Sequence, residues 1–89
     1  MRITLHARVQ MTRRRLRRED VDMAIGYGTE THCAGATFFV LRLTDIPPAM
    51  RADADARRAE GTTVVVEGDT IVTAYRNRDP RAMRRKRAA

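Results

Sequence analysis

Thr62-Thr63-Val64-Val65-Val66-Glu67-Gly68-Asp69-Thr70-Ile71-Val72-Thr73-Ala74-Tyr75 carries the clearest supersecondary signal in the chain. β-branched residues dominate both flanks, and the short middle segment holds a glycine, so the stretch predicts a β-hairpin. Upstream, Thr31, Cys33 and the run Thr37-Phe38-Phe39-Val40-Leu41 continue the strand signal on either side of Ala34-Gly35. This predicts a second hairpin turning at Ala34-Gly35, with a strand from Ala36 to Leu43 made central by its two phenylalanines. Asp45-Ile46-Pro47-Pro48 breaks the sheet, because proline cannot donate to a ladder. Between the hairpins, residues 49–59 are rich in alanine and charge, with Asp53 and Arg57 at i,i+4 spacing. They admit either a surface helix starting at Pro48 or a loop.

The segment before the strands reads as helical. Thr4 is a suitable N-cap for a helix from Leu5 to about Arg14. Leu5, Val9 and Leu16 form its apolar stripe, and His6, Gln10 and Arg13 stack on the opposite side. Glu19, Asp20 and Asp22 suit the positive end of a second helix, with Val21, Ala24 and Ile25 as its apolar side and Gly26 and Gly28 to stop it. The order is α-α-β-β-(α)-β-β. It predicts an α+β domain with two N-terminal helices packed on one face of a four-stranded antiparallel sheet.

With 89 residues and 43% apolar composition, the chain has room for one small core. The expectation is one domain over residues 1–79 and a basic tail over residues 80–89. No run approaches the length of a membrane span, and the start lacks the apolar stretch of a secretory signal, so a cytoplasmic location without membrane contact is expected. Cys33 is the sole cysteine, which excludes an internal disulfide.

Charge is layered along the chain. Of 18 basic residues, 17 are arginine. Residues 1–18 hold seven arginines and no acid. Residues 19–79 hold six arginines against all eleven acids, a balance of −5, and residues 80–89 add four arginines and Lys86. A mildly acidic body with two cationic ends is the footprint of a polyanion binder rather than of a metabolite enzyme.

Chemistry concentrates at a few positions. His6 has the near-neutral titration of a proton donor or acceptor, though a histidine satisfied by a carbonyl fits the same spacing. Arg13, Arg14, Arg15, Arg17 and Arg18 form the densest cationic block, and guanidinium forks match phosphate oxygens. Arg8 is a further candidate for the same contact. Thr73 and Tyr75 share a sheet face, where the tyrosine hydroxyl suits a phosphate or ribose contact, and Arg76 and Arg78 continue the charge. His32 and Cys33 are neighbours facing opposite ways and lack zinc-ligand spacing, so neither a metal nor another cofactor is expected. The chain contains no phosphate-binding glycine loop and no G-x-S-x-G, which removes support for nucleotide hydrolysis and serine esterase chemistry.

His6-Ala7-Arg8-Val9-Gln10-Met11, then Arg14-Arg15-Leu16, then Asp20-Val21, and finally Ile71-Val72-Thr73-Ala74-Tyr75 resemble the family called domain of unknown function 4258. The likeness spans most of residues 3–76. Two positions depart from that pattern. Gln10 stands where the family carries arginine before methionine. Arg15 stands where it carries the turn glycine, so either Arg15 takes a left-handed conformation at a cost of about 1 kcal/mol or the turn is reshaped. The family is similar to the small RelE and ParE toxins. That resemblance implies a toxin-like, metal-independent ribonuclease in which a ribose 2′-hydroxyl attacks the scissile phosphate. His6 would act as base or acid, Arg13 or Arg14 would stabilise phosphate charge, and Thr73 and Tyr75 would position the strand. It also implies RNA as substrate and an antitoxin-like protein as partner. The alternatives are a non-catalytic nucleic-acid binder and a protein-interaction module, and exposed sheet edges allow a homodimer by sheet extension.

Overall fold

Strand β4 (Thr62–Glu67) is the middle of the sheet in a computed structural model that describes residues 1–76. It pairs antiparallel with β5 (Thr70–Arg76) on one side and β3 (Ala36–Val40) on the other. β2 (Thr29–Cys33) closes one edge, and β1 (Arg2–Ile3) runs parallel to β5 at the other. The strand order is β1-β5-β4-β3-β2.

Both predicted hairpins are present. Ala34 (φ 51°) and Gly35 (φ 81°) form a two-residue turn, and Gly68 (φ 62°) lies between β4 and β5. Two positive φ angles in succession match the right-handed twist of the strands. The α+β class therefore holds, but the sheet is mixed and five-stranded rather than antiparallel and four-stranded. The extra strand is set by main-chain bonds: Arg2 N–H donates to Asp69 O (3.1 Å) and Thr4 N–H to Ile71 O (3.0 Å). β3 also stops at Val40 instead of Leu43. Arg42 N–H is captured by the Asp45 carboxylate (2.9 Å), which starts a 3-10 turn over Leu43–Asp45. β3 lies inside the sheet, though β4 is its centre.

Strand register assigns the two faces. Phe39, Val64 and Ala74 align on one, joined by Val66 and Ile71. Helices α1 (Leu5–Arg13), α2 (Arg18–Tyr27) and α3 (Ala54–Ala59) cover this side, α1 over β5 and α2 over β4 and β3, with α3 beside α2. Ala7, Leu16, Val21, Ala24, Leu41, Ile46, Ala56 and Ala59 complete the core there. Phe38, Val65 and Thr73 align on the opposite face, as do Val40, Thr63 and Tyr75. A bulge makes Val72 the extra residue, because Val65 pairs Thr73 while Val66 pairs Ile71. Ile71 and Thr73 thus face opposite ways despite being two residues apart.

The N-terminal helix turns differently from its apolar stripe. Thr4 caps it as expected, its hydroxyl accepting from Ala7 N–H (3.0 Å). Leu5 and Val9, however, are 77% and 41% exposed, and Ala7 is the residue fully buried. Small Ala7 lets α1 settle close over β5, where Ala74 is equally buried; a leucine at the contact would hold the helix off. Met11, one turn on, packs against the same core. Residues 48–59 divide into a 3-10 turn over Pro48–Met50 and the short helix α3. Asp53 caps α3 by accepting from Asp55 N–H (3.0 Å) rather than pairing with Arg57. Gly28 ends α2, whereas Gly26 lies within it. A Cβ at Gly28 would collide with Ala24 O and stand 3.0 Å from Val40 O.

Candidate nucleic-acid interface

The turn joining α1 to α2 is a Schellman motif with arginine at its left-handed position. Arg15 adopts φ 55°. Its N–H donates to Thr12 O (3.3 Å), and Leu16 N–H reaches back to Met11 O (2.8 Å). Leu16 then buries beside Met11, the apolar contact that accompanies this motif. The left-handed alternative for Arg15 is the one realised, so a residue with a Cβ occupies a glycine-type site. With Leu16 drawn inward, Arg13, Arg14 and Arg15 remain exposed around the helix end, and Arg8 is exposed five residues before Arg13. None of the four forms an ion pair among the described residues. Arg14 Nε donates to Gln10 Oε1 (3.3 Å), which orients its guanidinium along the helix without neutralising it.

The next arginines are occupied differently. Asp20, 0% exposed, accepts from Arg17 N–H (2.9 Å), Arg17 Nη2 (3.0 Å) and, at 3.5 Å, Arg17 Nε. Arg76 Nη2 stands 3.5 Å from Asp20 Oδ2, near enough for charge attraction but not aligned as a hydrogen bond. Arg17 Nη1 also donates to Asp55 Oδ1 (3.1 Å). This network ties the starts of α2 and α3 to the end of β5. Burial pushes the Asp20 pKa up, but the hydrogen bonds from Arg17 and the charges of Arg17 and Arg76 outweigh it and hold the carboxyl below its ordinary value. The Arg17 guanidinium is shifted upward by its hydrogen bonds to Asp20 and then Asp55. Arg18 pairs with Asp22 (3.1 Å) in an exposed i,i+4 bridge.

Histidine and tyrosine are separated. His6 is exposed in the first turn of α1, on the helix side of the sheet. Thr73 and Tyr75 share a face, as their spacing predicts, and it is the face opposite the helices. The structure therefore leaves Arg8, Arg13, Arg14 and Arg15 exposed on α1 and the turn after it, directs Arg17 and Arg76 to Asp20, and keeps Tyr75 and Thr73 on the sheet face opposite His6 and Arg14. Arg78 and the basic tail lie outside the described residues. Among those described, no three metal-ligating side chains stand close enough to hold an ion. No helix among them is long and apolar enough to cross a membrane.

The hub role of Asp20 goes beyond the helix-dipole acid that its position in the sequence suggests. The available signal is the Arg17-x-x-Asp20 spacing, in which an acid at the third helical position reaches back to the cap N–H. Arg42 and Asp45 repeat that geometry at 2.9 Å. No family model, curated protein or solved structure matches this chain.

Proposed function

We propose that this domain binds RNA through the arginine-rich turn between α1 and α2. The observation that carries the reading is the set Arg8, Arg13, Arg14 and Arg15, exposed without acidic partners among the described residues beside a neighbouring set already neutralised. The Schellman turn fixes the backbone from which Arg13, Arg14 and Arg15 project, which lowers the part of the ordering cost of gripping successive phosphates that falls on the main chain. Binding fits better than cleavage. His6 and Arg14 are eight residues apart, about 12 Å along the helix axis, a long reach to one scissile phosphate. Tyr75 and Thr73 are on the other side of the sheet. An acidic antitoxin-like partner would compete for the same arginines.

The test is anisotropy of a labelled single-stranded RNA at low salt. The triple variant Arg13→Gln/Arg14→Gln/Arg15→Gln is expected to lose at least about tenfold in affinity, whereas Tyr75→Phe leaves it unchanged. Intact RNA after prolonged incubation with the wild-type protein is the companion expectation. Equal affinity of the triple variant and the wild type overturns the reading. Cyclic-phosphate ends that vanish in His6→Ala replace binding alone with catalysis.

A further inference from the structure

Strand β2 is an edge, and its main-chain groups can be assigned residue by residue. Cys33 and Ala36 flank the two-residue turn, so they form a hydrogen-bonded pair, as do Thr31 with Phe38 and Thr29 with Val40 at every second position. The far side of β3 agrees, since Leu41 N–H turns to β4 and bonds Thr62 O at 3.0 Å. The N–H and C=O of Glu30 and His32 consequently point away from β3, toward an edge that no other described strand covers. Both side chains are exposed on the helix-side face, with His32 Nε2 3.7 Å from Glu30 Oε1 and Nδ1 3.1 Å from the Thr37 hydroxyl. β2 contains no proline, lysine or bulge to blunt the edge.

We propose that β2 docks antiparallel on β2 of a second copy, with Thr31 on the two-fold axis, independently of the RNA reading. Hydrogen-bond parity allows three registers that use both outward residues or either one. Glu30 opposite Glu30 sets carboxylates together, and His32 opposite His32 sets imidazoles together. Only Glu30 opposite His32 places unlike groups across the seam, and two-fold symmetry makes that pair twice. The same register supplies four main-chain hydrogen bonds and joins two five-stranded sheets into one. On the opposite face it sets Thr31 against Thr31 and Thr29 against Cys33 of the other copy. These are non-hydrogen-bonded positions, where Cα atoms approach to about 4.5 Å and a disulfide fits.

Sedimentation over a concentration series, without RNA, tests the interface. Glu30→Lys and His32→Glu each weaken dimerisation about tenfold, and the double variant recovers it, because the swap restores unlike pairs. In a Cys33→Ser background, Thr31→Cys yields a covalent dimer on mild oxidation, while wild-type Cys33, facing Thr29, does not. A wild-type protein that stays monomeric at roughly millimolar concentration overturns the proposal. So does a double swap that fails to recover, or wild-type cross-linking as efficient as that of the Thr31→Cys variant.

Discussion

Replacing Asp20 by alanine removes the acceptor at which three segments meet. The cap N–H of α2 loses its partner, a change worth about 1 kcal/mol. The charge-assisted bonds from Arg17 add roughly 1.5–3 kcal/mol. Breaking a fully buried ion pair costs about 3–5 kcal/mol, but the Arg17 and Arg76 side chains are 30% and 26% exposed and regain some hydration. The expected loss is therefore about 2–4 kcal/mol, which for a domain of this size lowers Tm by roughly 10–25 °C. Asp20→Asn, which keeps an acceptor for the cap, falls between the two. The pH dependence follows from the depressed carboxyl. Its stabilisation is complete above the unfolded value of about 4 and is lost as pH falls through the lower folded value, so wild type and Asp20→Asn converge in acid. Urea unfolding followed by circular dichroism at neutral and acidic pH measures both effects. An Asp20→Ala protein within about 0.5 kcal/mol of wild type refutes the hub.

Three further substitutions probe the backbone. Arg15→Gly relieves the left-handed site and raises stability by about 0.5–1 kcal/mol in thermal unfolding, while RNA affinity falls. Ala34→Asn at φ 51° stabilises the first hairpin by a similar amount, read as a shift of the urea midpoint at constant slope. Gly28→Ala drives a methyl group into two carbonyl oxygens and costs about 1–3 kcal/mol by the same measurement.

The β-branched run around Gly68 and the Thr4 cap were legible because each rests on a local rule. Strand periodicity puts Thr73 and Tyr75 on one face, but the identity of that face depends on the bulge at Val72, which periodicity does not encode. β1 has two residues, too few for any period, and exists through bonds to Asp69 and Ile71 nearly seventy residues away. The stripe of Leu5 and Val9 does not mark the buried face of α1: the helix packs over β5 with Ala7 as its fully buried residue, and one small side chain adds little to a hydropathy pattern. Within the cationic block, spacing alone did not separate Arg17 from Arg13, Arg14 and Arg15. That division follows from Asp20 and Asp55, brought in by tertiary packing.

The salt dependence of RNA binding, compared between wild type and the Arg13/Arg14/Arg15 glutamine variant, bears most directly on the arginine turn. Three phosphate contacts on a single strand account for about 2 units of slope in log K against log salt. A slope shallower by that amount is expected of the variant; parallel lines for the two proteins would rule out phosphate contact by these arginines.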